Sequence, residues 1–146
     1  MAASLRDQLV QLALQWQSRY GVAPAITSAI SEFDAAHLIG TPEEKYATFM
    51  AGQTAVTKGS DFTWQSTRYQ VKANRPSGKP GSFVTLVPKA KNYEWDQLIW
   101  ILYDTQYTIK EAWLWDRESY ISAFDNIQRL SPAHYRQGKR IVERDT

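Results

Sequence analysis

Apolar residues recur at three- and four-residue steps near the start of the chain. Residues 4–20 carry one apolar stripe, and this spacing is typical of an amphipathic helix. Ser4 is well placed to cap the start of this helix, and Gly21 is well placed to end it. The stripe consists of Leu5, Leu9, Leu12 and Trp16.

A second helix is predicted over residues 25–39, with Gly40 at its C-terminal end. Glu44 follows Thr41 at the spacing of a capping box, which predicts a short third helix over residues 43–51. The residues expected on the buried side of the second helix are Ile26, Ile30, Phe33 and Leu38.

From residue 54 onward, short β-rich runs replace the helical spacing. Two of these runs flank Gln65–Ser66 and predict a hairpin. A loop rich in Pro and Gly follows, then a short strand, then a strongly apolar run that is typical of a central strand buried on both faces. The predicted hairpin strands are residues 55–64 and 67–74, the loop is 74–82, and the later strands are 83–87, 97–104 and 109–115.

The end of the chain predicts a final helix at residues 118–128 and a basic tail at 131–146. Residues 105–108 are too few for the crossover that two parallel strands need, so the two late strands are expected to be antiparallel. The chain therefore predicts one domain over residues 1–146, with a core at about 25–130. Its fold class is α+β or α/β, with a central mixed sheet flanked by N-terminal helices and a C-terminal helix.

The amino-acid composition excludes several kinds of functional site and bears on where the protein is located. The chain has no cysteine, which excludes disulfides, thiolate zinc sites and cysteine nucleophiles and favours a reducing cytoplasm. No run reaches the roughly 18 apolar residues of a membrane span, so no membrane partner is expected. The six Trp and eight Tyr suit a core and an interface, or the stacking of nucleic-acid bases.

The residues that suggest chemistry lie on the predicted hairpin. Gln70 and Lys72 alternate with Val71 and therefore share one face of a strand, and Asp61 precedes them on the neighbouring strand. Magnesium prefers oxygen ligands, which Asp61, the Gln70 side chain and the Val71 carbonyl can supply. The Lys72 ammonium group can orient the attacking water and offset negative charge that develops on a phosphate.

This arrangement resembles the PD-(D/E)xK superfamily of restriction-endonuclease-like nucleases. Asp61 and Gln70-Val71-Lys72 look like the paired motifs of that family, and Glu32 looks like the acid that many members contribute from a preceding helix. The resemblance implies a restriction-endonuclease-like core and a Mg²⁺-dependent endonuclease, with Mn²⁺ as a substitute and Glu32 as a further ligand. Gln70 stands where the family usually has an acid, which removes one negative charge that Glu32 could replace.

The resemblance also implies a nucleic-acid substrate, with DNA favoured over RNA. Cutting both strands of a duplex would favour a homodimer. The net charge is only +2, so the distribution of basic residues carries more weight than their sum. The predicted phosphate-contacting residues are Asn74, Arg75 and Lys79 in the loop, and Arg136 and Lys139 near the C-terminus.

Other interpretations of the same residues stay open. Asp61 is also suited to shaping a turn, and Gln70, Lys72 and Glu32 to ordinary solvated positions. His37 is expected to pack rather than to catalyse, whereas His134 is suited equally to phosphate contact and to a solvated tail. The alternative functions are a nucleic-acid-binding module that keeps the nuclease fold without catalysis, and a protein-interaction or immunity-type domain.

Overall fold

A computed structural model describes residues 3–53 and 59–141 of the chain. Five helices surround one sheet within these ranges. The helices are α1 (Leu5–Tyr20), α2 (Thr27–Leu38), α3 (Glu43–Ala51), α4 (Arg117–Phe124) and α5 (Pro132–Tyr135). The strands are β1 (Phe62–Trp64), β2 (Thr67–Asn74), β3 (Gln97–Tyr103), β4 (Ile109–Asp116) and β5 (Lys139–Ile141).

The five strands form one mixed sheet in the order β1-β2-β3-β4-β5. β2 and β3 are parallel, and the other three pairs are antiparallel. The prediction of a central mixed sheet flanked by helices is therefore confirmed, as is the antiparallel pairing of the two late strands. Every residue of β3 after Gln97 is buried, as expected for a strand covered on both faces.

Each face of the sheet packs against its own set of elements. One apolar cluster lies toward the N-terminal helices and contains Val71, Ile99 and Ile101 together with Ile30 of α2. The other lies toward the C-terminal helices and is rich in aromatic rings. Its largest side chains are Trp95, Trp100, Trp115, Tyr120, Phe124 and Tyr135. Most of the aromatic surplus of the sequence is thus core.

The hairpin between β1 and β2 follows the prediction. Gln65 and Ser66 have φ angles of 50° and 67°, the left-handed conformation that a two-residue hairpin turn requires at both positions. Only Phe62–Trp64 of the predicted first strand is strand, and residues 54–58 lie outside the described residues. The short turn places the residues before Phe62 beside the middle of β2.

Helix α1 presents its apolar stripe to solvent. The Ser4 side chain caps the helix by accepting a hydrogen bond from the Asp7 N–H, as predicted. However, Val10 and Ala13 face the core, whereas Leu5 and Trp16 are 79% and 55% exposed. The sequence predicted the helix correctly, but its most regular apolar face is not its buried face.

Three local predictions are wrong. The capping box predicted for Thr41 and Glu44 does not form, because α3 begins after Pro42 and not after Thr41. The buried Thr41 hydroxyl has no hydrogen-bond partner within the described residues. Residues 83–87 do not form a strand; Val87 makes a single bridge to Leu130. The predicted helix at 118–128 ends at Phe124.

The C-terminal segment also differs from the expected tail. Its described part forms α5 and then β5, which extends the sheet beside β4. Within residues 3–53 and 59–141, no helix has the length and apolarity to cross a membrane.

Candidate functional site

Asp61 lies against the edge of β2, one residue before β1 begins. Its Oδ2 atom accepts hydrogen bonds from the Val71 backbone N–H at 2.7 Å and from Gln70 Nε2 at 3.1 Å. Its own N–H donates to the Tyr69 carbonyl at 2.7 Å. Asp61 therefore occupies the place beside β2 that a longer β1 strand would fill.

The Val71 carbonyl faces the same edge. In a strand, the N–H and C=O of one residue leave the backbone on the same side, and the Val71 N–H is directed at Asp61. Among the described residues, no strand pairs with β2 on this side beyond Tyr69. A main-chain oxygen and a carboxylate are thus directed toward the same edge.

Glu32 brings a second carboxyl group to Asp61 from α2, which packs on β2. Burial, the charge of Asp61 and a hydrogen bond to Asp61 raise the pKa of Glu32 to about 8. A hydrogen bond between two carboxyl groups needs a proton on one of them, because two carboxylates in contact repel each other. The pair therefore holds either a shared proton or a cation.

Tyr46 of α3 lies near this carboxyl pair. Its ring lies edge-on to Phe62 and to Phe33, with ring centroids 6.0 Å and 5.9 Å away. Burial and then the negative charges of Glu32 and Asp61 raise the pKa of the Tyr46 hydroxyl. Sequence analysis missed this residue, because a single Tyr on a short helix carries no spacing signal toward a hairpin that follows it.

Lys72 lies on β2 with its ammonium group half-buried. Burial lowers the pKa of Lys72, the negative charge of Asp61 opposes that change, and the positive charge of Lys91 adds to it. Lys72 is thus close enough to interact with Asp61, as the hairpin geometry predicted. Lys91 is a second cation near the site.

The donor set fits a hard cation. It comprises two carboxyl groups, the Val71 carbonyl and the side-chain amide of Gln70, whose oxygen and nitrogen atoms are interchangeable in placement. Magnesium sites often use only one or two protein carboxylates, and their other ligands are water and phosphate oxygens. Within the described residues no group of three or more His, Asp or Glu side chains is arranged to hold a metal.

A cleft of about 970 Å³ lies beside the carboxyl pair, between the N-terminal helices and the turn that precedes β4. Glu32 and Tyr46 contribute to its wall, whereas Asp61, Gln70 and Lys72 lie outside it. Much of the remaining lining is apolar and includes Leu5, Leu9, Ile30, Phe33 and Met50. The cleft thus reaches only the helical side of the candidate site.

Three of the predicted phosphate-contacting residues already have partners within the chain. Arg75 donates hydrogen bonds to the Thr105 carbonyl at 2.6 and 3.0 Å and to Gln17 Oε1 at 2.7 Å. Asn74 accepts a hydrogen bond from Trp100 Nε1 at 2.9 Å. Arg136 donates to Glu111 Oε1 at 2.6 Å. These contacts join loops and strands within the domain.

The other two predicted phosphate contacts, Lys79 and Lys139, are solvent-exposed. Of the histidines, His37 is exposed on α2 and lines the cleft. His134 accepts a hydrogen bond from the Ser131 N–H at 2.9 Å through Nδ1, and its ring packs edge-on against Phe124. This capping contact gives His134 a structural role in α5.

Comparison with known proteins assigns no relative. No protein-family model matches the sequence, and no curated protein is similar to it at a significant level.

Proposed function

We propose that the protein is a magnesium-dependent endonuclease that hydrolyses phosphodiester bonds in DNA. The observation that carries the proposal is the contact of Glu32 with Asp61 at the edge of β2, where the Lys72 ammonium group is the nearby cation. Two acids that share a half-buried position, with no arginine bonded to them among residues 3–53 and 59–141, are arranged to bind a cation. Lys72 adds a positive charge suited to a phosphate.

In the proposed mechanism Asp61 and Glu32 would hold Mg²⁺, and Gln70 and the Val71 carbonyl would be further ligands. The ion would supply Lewis-acid activation of the phosphate. Lys72 orients the attacking water and stabilises negative charge on the phosphate oxygens. Tyr46 lies near the two carboxyl groups on the α3 side, and Lys91 would add positive charge near the scissile phosphate.

A binding module that keeps this arrangement without catalysis is the second candidate function. The observation in its favour is the Gln70 side chain, which donates a hydrogen bond to Asp61 at 3.1 Å where the resembled family usually has an acid. A neutral amide leaves the site one negative charge short. The two candidates differ in whether the bound nucleic acid is cut.

The test is a cleavage assay on labelled duplex DNA, single-stranded DNA and RNA, in Mg²⁺, in Mn²⁺ and in EDTA. The wild type should cut DNA only with a divalent ion. Lys72→Ala and Asp61→Asn should each slow cleavage by at least about 100-fold, the usual cost of removing one transition-state contact. Lys110→Ala, which removes an exposed lysine of β4, is the matched control and should cut normally.

Two outcomes would reject the nuclease proposal. If no substrate is cut but DNA binds with a steep salt dependence, the protein is a binding module. If neither cutting nor salt-dependent binding is seen, the site does not act on nucleic acid. Gln70→Glu tests the binding-module outcome further. It gives the site the acid that the resembled family usually has at this position, so this variant should cut DNA in the presence of metal if only the missing charge prevents cleavage.

A further inference from the structure

Helix α1 carries a continuous apolar surface that nothing in the described chain covers. We call it the α1 stripe, and its five residues are 38–79% exposed. Single exposed apolar residues are common on protein surfaces, but a contiguous row of them marks an interaction site. The α1 stripe consists of Leu5, Leu9, Leu12, Trp16 and Tyr20.

The helix cannot rotate to bury this stripe, because the face next to the stripe is bound to the rest of the domain. Arg6 donates hydrogen bonds to Asp34 at 2.8 and 3.0 Å and to the Tyr107 carbonyl at 2.6 Å. At the other end of the helix, Gln17 donates to the Ser77 carbonyl at 2.7 Å. The stripe is therefore presented on a helix of fixed orientation.

The spacing of the stripe is that of a helix–helix seam. Leu5, Leu9, Leu12 and Trp16 follow one another at steps of four, three and four residues, which is the alternation of the a and d positions of a coiled coil. The polar residues beside the seam include Gln8 and Gln15, which are uncharged. A partner helix with the same surface would meet no repelling charges at these positions.

The area of the stripe also suits a pair of identical helices. A buried Trp or Tyr side chain covers about 150–250 Å². On that scale, five half-exposed large side chains offer on the order of 500 Å² per copy, or about 1,000 Å² in a pair, which is the size at which an interface becomes specific. Leu5 and Leu9 also line the cleft, so the apolar surface continues toward Met50.

We propose that α1 is a self-association surface at which two copies of this chain pair their α1 helices in antiparallel orientation. A two-fold axis near Leu12 would set Leu9 against Trp16 and Leu5 against Tyr20, so that each large ring meets a smaller side chain. A parallel pair would instead set Trp16 against Trp16. This inference does not depend on the proposed nuclease activity.

The first test is sedimentation velocity over a micromolar to submillimolar range, without metal or nucleic acid. The wild type should be a dimer at the upper concentrations. Leu12→Glu should be monomeric, with at least about a tenfold rise in the dimer dissociation constant and an unchanged circular dichroism spectrum. The matched control is Leu86→Glu, which places the same charge at an exposed leucine away from α1 and should remain dimeric.

A monomeric wild type at the highest concentration would overturn the proposal, as would a Leu12→Glu variant that dimerises normally. Loss of the dimer in both variants would also overturn it, because the stripe would not be the specific contact.

The orientation is tested by disulfide crosslinking, which is clean because the chain has no cysteine. Under mild oxidation, an equimolar mixture of Leu9→Cys and Trp16→Cys proteins should form a mixed disulfide in high yield, and Leu5→Cys alone should not crosslink. Efficient crosslinking of Leu5→Cys with itself would identify a parallel pair and reject the antiparallel arrangement.

Discussion

Two acids two residues apart on α2 have opposite surroundings. Asp34 accepts two hydrogen bonds from Arg6, at 2.8 and 3.0 Å, and a third from the Tyr103 hydroxyl at 2.6 Å. Glu32 instead meets a second carboxyl group, that of Asp61, and its burial together with this neighbour raises its pKa. On the same helix, Asp34 thus faces the core with Arg6 beside it, and Glu32 faces the sheet edge with Asp61 beside it.

The difference separates an acid that holds the fold from an acid that is available for binding. A buried carboxylate with an arginine partner and a full set of hydrogen bonds needs nothing further, and removing one partner is costly. The Glu32–Asp61 pair has Lys72 nearby but, among the described residues, no arginine bonded to it, so a proton or a metal ion is still needed to relieve the repulsion between the two acids. The predictions below test this distinction, from the largest expected effect to the smallest.

Asp34→Ala should lower the free energy of unfolding by about 3–5 kcal/mol, because the largely buried Arg6 side chain would keep only the exposed Asp7 as a counter-ion. Urea denaturation at neutral pH measures the effect. Tyr103→Phe, which removes only one of the three hydrogen bonds, should cost about 1 kcal/mol. A loss of less than 1 kcal/mol in Asp34→Ala would mean that this pair is not the anchor of α1.

Mg²⁺ should stabilise the wild type and not the variant Asp61→Asn. At a metal concentration of a hundred times the dissociation constant, the expected gain in unfolding free energy is about 2.7 kcal/mol. Thermal melts over a Mg²⁺ titration measure it. Glu111→Gln changes a carboxylate of β4 away from the site and should leave the metal effect intact. Equal stabilisation of the wild type and Asp61→Asn would place the cation elsewhere.

Glu32→Gln should stabilise the metal-free protein at pH 8. The pKa of Glu32 is raised in the folded state to about 8 from 4.5, so the folded state holds a proton that the unfolded state releases. This contribution to stability is complete below pH 4.5 and is lost as the pH rises to 8.

Because Glu32 is partly exposed, solvent screening reduces the effect to about 1–2 kcal/mol. Urea unfolding at pH 5 and pH 8 in EDTA measures it. The variant should lose less stability than the wild type over this interval. The same loss in both proteins would show that Glu32 does not hold the proton.

Arg136→Ala should change stability by at most about 1 kcal/mol, since its ion pair with Glu111 at 2.6 Å is close to the surface. The hydrogen bond from Arg136 lowers the pKa of Glu111, so this contribution is present at neutral pH and is lost as the pH falls through the lowered pKa. Urea unfolding at pH 7 and pH 3 measures it. A larger loss at neutral pH would mean that α5 depends on this contact.

The strands β2, β3 and β4 and the approach of Asp61 to Gln70 and Lys72 were predictable from local patterns, whereas β5 was not. The apolar run of β3 fixed the centre of the sheet, and a two-residue turn limits where the strand before it can lie. The buried side of α1 was not predictable, because Val10 and Ala13 give a weaker pattern than the exposed stripe. Arg6 and Asp34 decide that orientation, and their pairing spans distant parts of the sequence.

The partners of the basic residues were also not predictable from local sequence patterns. Arg75 lies in a loop of the composition that contacts phosphates, yet Gln17 and Thr105 bind its guanidinium. The position of Tyr46 near the carboxyl pair depends on how α3 packs beside α2. Local spacing identifies elements and neighbouring residues, whereas the assignment of a charged side chain to solvent or to a partner depends on tertiary packing.

The strand order follows the order of the chain, which has a consequence for synthesis on the ribosome. Each new strand adds to the strand made just before it, so the sheet can grow from one edge as the polypeptide emerges. Asp61, Glu32 and Lys72 belong to the part made first. The contact of Arg6 with Asp34 can form early, whereas the hydrogen bond from Arg6 to the Tyr107 carbonyl can form only after β3 has been translated.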